Sequence, residues 1–119
     1  MKTVARKNLV LILGIGLLAA GGCKHSPSKP ARALTPQEAT GKQVFVNQCS
    51  GCHYADTDKG LYGPGLEGLF RKPYLTSGMA ANDTRVRAVI LNGWAMMPPM
   101  GNRMSDQEFE ELMAYLHTL

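Results

Sequence analysis

Residues 49–53 read Cys-Ser-Gly-Cys-His, and this run constrains the fold more than any other part of the sequence. Two thiols separated by two residues, with an imidazole directly after the second thiol, are the groups that attachment of a c-type haem requires. Each thiol adds to one vinyl group of the porphyrin, and the spacing brings both sulfurs to the same face. The imidazole of His53 then lies close enough to bind the iron as the proximal ligand. The run therefore predicts one haem c held covalently by Cys49 and Cys52.

A Cys-x-x-Cys pair also occurs in zinc sites and in thiol oxidoreductases, and neither alternative has much support here. Tetrahedral zinc needs four ligands, but the one other cysteine of the chain, Cys23, lies far away beside an apolar stretch. A thiol oxidoreductase places the pair after a strand at the start of a helix. The residues before Cys49 instead have a helical pattern, and no strand alternation is evident. A redox dithiol is the main alternative to haem.

The first 22 residues predict an export signal. A basic start is followed by an apolar run over residues 9–20 and by small residues directly before Cys23. The run is shorter than the ~20 residues of a membrane-spanning helix, which disfavours an uncleaved anchor. Small residues before a lone cysteine resemble a bacterial lipobox, although Ala20 stands where Leu is more common. We expect residues 1–22 to be removed and Cys23 to be lipidated. Cleavage after Ala33, giving a soluble periplasmic protein, is the alternative.

The remaining chain divides into a tether and one domain. Residues 23–34 are predicted to form the lipidated cysteine and a flexible tether, because they are polar and interrupted by prolines. Residues 35–119 are predicted to form the domain. The whole chain has a net charge of +4, but from Thr35 onwards seven basic residues face nine acidic ones, which gives −2. Without a basic patch, nucleic-acid binding has little support.

Three segments of this domain predict helices. Thr35 and Glu38 form a capping box that opens a helix to about Gln48. A second helix is capped at Asn82-Asp83 and ends at Asn92, with Gly93 as a left-handed stop. Ser105 and Glu108 form another capping box before the last helix. Apolar residues of that last helix share one stripe, which we expect to pack on the Gly41 and Phe45 face of the first: Phe109, Leu112, Met113 and Leu116.

Two loops supply further candidate binding residues. Pro64 has a carbonyl but no N–H, and is a candidate acceptor for the Nδ1–H of His53. Met97 is followed by Pro98, which pushes it out of the α region and lets its thioether point towards a flat ligand. Most other methionines are expected to fill the core.

Taken together, these motifs resemble those of class I cytochromes c, the monohaem, mitochondrial-like type. The resemblance covers residues 35–119 and rests on five short runs. They are GKQVF at 41–45, CSGCH at 49–53, GPGL at 63–66, Met97-Pro98, and ELMAYL at 111–116. The resemblance implies an all-α cytochrome c fold, with helices packed around one covalently bound haem.

The resemblance also implies a set of roles for individual residues. His53 and Met97 would be the two axial ligands of the iron, with the Pro64 carbonyl on His53. Gly41 and Phe45 would pack against Leu112 and Tyr115. Contact with a haem propionate is expected from one or more of three residues: Arg71, Tyr74 and Trp94.

In function, the resemblance implies a one-electron carrier rather than an enzyme. Iron that is saturated by His and Met has no open position for a substrate. Such a carrier docks transiently with redox partner proteins in an envelope respiratory or dehydrogenase chain. A lipid on Cys23 would anchor it to the membrane on the periplasmic side of a bacterial cell. Two alternatives stay open: a small haem enzyme that reduces peroxide or another small molecule, and a haem-bearing subunit bound permanently to a dehydrogenase or oxidase.

Overall fold

The computed structural model describes residues 32–119. The predicted signal at 1–22, the lipidation at Cys23 and the tether up to residue 31 lie outside the described residues. Within residues 32–119 the chain forms three α-helices, one short 3-10 helix and two isolated β-bridges, with no extended strand. The all-α fold class is thereby confirmed. No helix in this part of the chain has the length and apolarity needed to cross a membrane.

The first helix, α1, spans Pro36–Gln48 and begins with the predicted capping box. The Glu38 backbone N–H donates to the Thr35 hydroxyl at 3.3 Å, and the Thr35 N–H donates to the Glu38 carboxylate at 2.8 Å. The guanidinium of Arg32 also pairs with this carboxylate. Hydrogen bonds from Arg32 and from the Thr35 N–H lower the pKa of Glu38 to about 2. These contacts fix the point at which the chain enters the domain.

Two further helices follow in the chain. Helix α2 spans Asp83–Asn92, and the Asn82 side chain caps it by accepting from the Arg85 N–H at 3.0 Å. Helix α3 spans Asp106–Leu116 and opens with the predicted capping box of Ser105. Each boundary agrees with the sequence prediction to within a residue.

Helices α1 and α3 pack closely against each other, and we call this pair the helix clasp. A Cβ atom added at Gly41 would lie 1.8 Å from the backbone oxygen of Glu111, so only glycine allows this approach. Nearby, the rings of Phe45 and Tyr115 meet with centroids 5.6 Å apart. The predicted apolar stripe of α3 is entirely buried, and Leu112 at its centre has no exposed surface. The predicted packing of the last helix on the first is confirmed.

Helix α2 contacts helix α3 of this pair. Arg87 donates two hydrogen bonds to the Glu110 carboxylate, at 2.6 and 2.7 Å, and lies over the ring of Phe109 at 5.2 Å. The core combines residues of all three α-helices with one residue of the short 3-10 helix and one loop residue. Its members are Val44, Phe45, Leu69, Val86, Ile90, Met100, Phe109, Leu112, Met113, Tyr115 and Leu116.

The end of α2 differs from the prediction. Gly93 has φ 75 and ψ 168, so it has a positive φ but is not in the left-handed helical conformation. Its extended ψ directs the chain into the loop that carries Met97. A Cβ at Gly93 would lie 2.6 Å from the Met97 oxygen and 2.8 Å from the Pro99 nitrogen. Glycine is required here for this close approach as well as for φ.

The segment between α1 and α2 is mostly irregular. A 3-10 helix spans Leu69–Arg71, and Tyr74 and Ala80 form an isolated antiparallel bridge. The sequence predicted only a loop rich in glycine and proline here, because elements this short have no periodicity to read.

Candidate haem site

The Cys-x-x-Cys-His run forms a tight turn directly after α1. The backbone N–H groups of Cys52 and His53 donate to the Cys49 carbonyl at 3.0 and 2.9 Å, while the Cys49 N–H still bonds to Phe45. Both thiols are free, with Cys49 half-buried and Cys52 exposed. The turn therefore presents two thiols and one imidazole from a single rigid segment.

The thiol of Cys49 lacks the property that redox exchange needs. Burial, with a smaller effect of neighbouring Cys52, raises the pKa of Cys49 to about 11. The thiolate is the reactive species in disulfide exchange, and active cysteines of this kind have a lowered pKa. Zinc binding is not supported either, because residues 32–119 contain no group of three or more His, Cys, Asp and Glu side chains suited to a metal ion. The arrangement argues against both alternatives to haem.

His53 is held in one orientation by the loop that follows it. Its Nδ1 lies 2.8 Å from the Pro64 carbonyl, which can only accept, so Nδ1 carries the proton. Nε2 is then the unprotonated nitrogen that can bind a metal. Gly63 packs on the ring, since a Cβ there would lie 2.4 Å from His53 Cε1, and its N–H donates to the Cys52 carbonyl at 2.8 Å. This is the arrangement typical of a ligating histidine.

The turn and the loops border two adjoining open cavities, whose empty volumes of about 1180 and 570 Å³ include their open mouths. His53 and Met97 line both of them. Cys49 lines the larger of the two open spaces and Cys52 lines the other. Among the residues predicted to bind the haem, all except Arg71 line one or both cavities, and Pro64, Tyr74 and Trp94 line the larger one. Cys23, the predicted lipidation site, lies outside the described residues.

Arg71 lies elsewhere, and other residues take part that the sequence did not single out. The Arg71 guanidinium is exposed and donates to the Leu119 carbonyl. Its neighbour Lys72 lines the larger space instead. Tyr62, an exposed ring, lines both spaces. No sequence signal separated Lys72 from Arg71, because two adjacent cations are equivalent until the backbone direction is known.

Met97 is carried by a closed turn. The Trp94 N–H donates to the Met97 carbonyl at 3.0 Å, and the Met97 N–H donates to the Trp94 carbonyl at 2.9 Å. Ala95 inside the turn has φ 52, a left-handed conformation that costs a non-glycine residue about 1 kcal/mol or more. Met97 is half-buried, whereas the adjacent Met96 is 86% exposed.

The remaining methionines that the structure describes do not border the cavities. Met100 is buried in the core, and its N–H donates to the Ile90 carbonyl at 2.9 Å. Met113 is a core residue of α3, and Met104 packs against the same core. The thioethers near His53 are therefore those of Met96 and Met97.

The lining residues fit a c-type haem. Tyr62, Tyr74 and Trp94 leave 77%, 64% and 46% of their surface exposed at the cavity. A small domain rarely leaves such a group of large rings uncovered, and a flat apolar group between them would cover it. The donor set is two free thiols, one imidazole with a fixed tautomer and one half-buried thioether. These are the groups that haem c uses, and they do not form a site for a bare metal ion.

Comparison with known proteins gives the same result. Residues 36–116 match the family model described as "Cytochrome C oxidase, cbb3-type, subunit III". The chain is 32% identical over 98 residues to the cbb3-type cytochrome c oxidase subunit FixPc of Rhizobium leguminosarum bv. viciae, covering 82% of this chain and 31% of that protein. It is 27% identical over 78 residues to cytochrome c6 of Diacronema lutheri, covering 66% of this chain and 90% of that protein.

A second cytochrome c6, from Rippkaea orientalis, is 32% identical over 84 residues, which is 71% of this chain and 72% of that protein. The chain therefore spans nearly the whole of one cytochrome c6 but only about a third of FixPc. The range that the family model matches, residues 36–116, contains the cysteine pair, His53 and Met97. The chain belongs to the cytochrome c family, within the group described as cbb3-type oxidase subunit III, and its cofactor is a haem c bound covalently through Cys49 and Cys52.

Proposed function

We propose that this protein is a one-electron carrier in which His53 and Met97 are the two axial ligands of the haem iron. The observation that supports this most is the shared cavity lining: an imidazole with its Nδ1 anchored and a half-buried thioether border the same two spaces as the cysteine pair. When bound, the haem supplies an iron that gains and loses one electron. The residues of this chain set how readily it does so.

His53 contributes a fixed and basic ligand nitrogen. The Pro64 carbonyl accepts the Nδ1 proton at 2.8 Å, which holds the tautomer and increases the electron density on the ring. Gly63 lies against the ring, and a larger residue there would overlap it. The hydrogen bond to Pro64 and the close packing of Gly63 would therefore hold the imidazole in an orientation suited to binding the iron.

Met97 contributes a neutral sulfur ligand. A thioether stabilises the reduced iron relative to the oxidised iron and so raises the reduction potential. The turn from Trp94 to Met97 is closed by two backbone hydrogen bonds, which keep the sulfur in place. With His53 and Met97 both holding the iron, no coordination position would remain for a substrate.

The cavity lining also supports a carrier over an enzyme. Reduction of peroxide requires a group that moves protons beside the open side of the iron. Among the described residues, neither Asp nor Glu lines either cavity, and His53 is the one histidine that does. The wall around Met97 is instead apolar, with Trp94, Ala95 and Met96.

The partner is proposed to be another redox protein that docks briefly. Tyr62, Trp94 and Met96 are exposed at the cavity and offer a small apolar contact area. Small interfaces of this kind are typical of transient electron-transfer complexes. The similarity to cytochrome c6 supports a free carrier, and the similarity to oxidase subunits supports a second candidate, a haem-bearing subunit of an oxidase.

We also propose that the carrier is a lipoprotein of the bacterial envelope. The proposal rests on the sequence of residues 1–22, on Cys23 and on the tether. Replacing Cys23 by Ser should move the protein from the membrane fraction to the soluble fraction or block its maturation. A mature wild-type N-terminus at Leu34 would show that ordinary cleavage occurs instead.

The carrier proposal is tested by exposing the purified, reduced protein to carbon monoxide at neutral pH. Saturated iron should not take up the gas, so the visible spectrum should stay unchanged. Rapid uptake by the native protein would reveal an open iron position and would support the enzyme alternative.

A further inference from the structure

A short polar segment lies in the largely apolar lining of the larger cavity. Lys72, Tyr74, Thr76 and Ser77 all border it, and we call these four residues the polar rim. They come from one loop that directly follows the 3-10 helix. One short stretch of chain therefore supplies an ammonium group and three hydroxyl groups to the same cavity, in addition to the side chains of Tyr62 and Trp94 from other loops.

The geometry of this loop is well defined. The Leu75 N–H donates to the Met79 carbonyl at 2.7 Å, and the Gly78 N–H donates to the Leu75 carbonyl at 2.9 Å. The Ser77 hydroxyl accepts from the Met79 N–H at 3.4 Å, which leaves its own O–H available to donate. The rim is thus a turn with fixed backbone bonds and unused side-chain donors.

Lys72 carries the rim's formal charge. Within residues 32–119, it is the one Lys, Arg, Asp or Glu residue that lines either cavity. The ion pairs of this part of the chain involve Arg32, Arg87 and His117 but not Lys72. Its ammonium has no carboxylate partner among the described residues.

The guanidinium of Arg71, the cation next to Lys72 in the chain, lines neither cavity. The Arg71 guanidinium lies against Gly68, where an added Cβ would be 3.2 Å from it, and donates to the Leu119 carbonyl. Lys72 ends the 3-10 helix in an extended conformation, with φ −80 and ψ 143. This change of backbone direction puts the two adjacent cations on different sides of the chain.

We propose that the polar rim holds the carboxylate side of the haem, and that Lys72 rather than Arg71 supplies the counter-charge. The inference rests on haem occupying this cavity, which the proposed function also requires, but not on which methionine binds the iron. A cation near the iron disfavours the oxidised form, which has one more positive charge. Lys72 therefore raises the midpoint potential of the carrier.

The test compares midpoint potentials of the haem-loaded protein in four variants. Lys72→Gln should lower the potential, and Lys72→Arg should restore most of the difference because it keeps the charge. Arg71→Gln and Lys42→Gln are the controls; each removes one positive charge from an exposed residue that lines neither cavity. Both controls should change the potential less than Lys72→Gln does. The axial-ligand bands of the visible spectrum should be unchanged in all four.

Three results would overturn the inference. The first is a potential of Lys72→Gln equal to that of Lys42→Gln, the second is a larger shift for Arg71→Gln than for Lys72→Gln, and the third is a potential of Lys72→Arg equal to that of Lys72→Gln. If the protein carries haem and gives any one of these results, the inference about Lys72 fails but the carrier proposal still holds. A purified wild-type protein without haem would overturn both.

Discussion

The helix clasp and the loops that wall the cavity bury apolar side chains in different ways. In the clasp, Gly41 lets two backbones touch, and Leu112 beneath them is completely buried by protein atoms. In the loops, Tyr62, Tyr74 and Trp94 stay largely exposed although they line a cavity. The clasp is closed by its own residues, whereas we propose that the haem completes the loop wall.

This difference shows how so small a domain can be stable. A domain of fewer than 90 residues buries a limited fraction of its surface, and a cofactor can supply the missing core. Binding that occurs only in the folded state adds directly to stability. The haem stays attached to Cys49 and Cys52 when the chain unfolds, so its contribution comes from the contacts that it makes only in the folded state. Perturbing the two regions should therefore have different consequences.

The largest effect is expected from replacing both Cys49 and Cys52 by Ala. The protein should carry no haem after acid extraction, and the loop wall should lose protection. In limited proteolysis, cuts within residues 54–81 and 93–101 should precede cuts within α1 and α3. Equally early cuts in the two helices would show that the clasp also depends on the haem.

The clasp itself is tested by Gly41→Ala. The added methyl group would overlap the Glu111 backbone oxygen, so the helices must separate. We expect a loss of about 3 kcal/mol of unfolding free energy, measured by denaturant titration. Gly51→Ala is the matched control, since nothing lies within 4 Å of its added Cβ. Similar losses for both variants would contradict the close contact.

The turn that carries Met97 is tested by Ala95→Gly. Because Ala95 has φ 52, glycine should relieve its backbone strain and stabilise the holoprotein by about 1 kcal/mol. Ala88→Gly in the middle of α2 should act in the opposite direction by a similar amount. Destabilisation by both substitutions would mean that the turn is not strained.

The smallest effect is expected at the entrance to α1. The folded-state pKa of Glu38 is about 2, below its ordinary value of 4.5. Its contribution to stability is therefore present above about pH 4.5 and is lost as the pH falls towards 2. Glu38→Gln should lower the thermal midpoint at pH 6, and the difference from wild type should disappear near pH 2. A difference that does not vary with pH would exclude the carboxylate charge as its cause.

The helices of this domain could be predicted from the sequence because their signals are local. Capping boxes at Thr35 and Ser105 and the spacing of apolar residues in α3 each lie within one helix. The stripe containing Leu112 also predicted the packing partner, since glycine and a large ring shared one face of α1. In α1 and α3, the contacts seen in the structure are therefore those that the local sequence pattern predicts.

The loops could be predicted only in part. The Pro64 carbonyl was a candidate partner of His53 because proline has no competing N–H, and the two groups do lie 2.8 Å apart. The ψ of Gly93 and the position of Lys72 depend on where neighbouring backbone segments run. The spacing of apolar residues carries no information on these backbone directions, so the two features could be read only from the structure.

The central claim is that the iron is held between His53 and Met97. The measurement that tests it most directly is carbon monoxide binding and midpoint potential in Met97→Ala, with Met96→Ala as the matched control. Met97→Ala should bind carbon monoxide and have a clearly lower potential, because the thioether is gone. Met96→Ala should resemble wild type, since Met96 is 86% exposed. Carbon monoxide binding by Met96→Ala with none by Met97→Ala would contradict the account and assign the ligand to Met96.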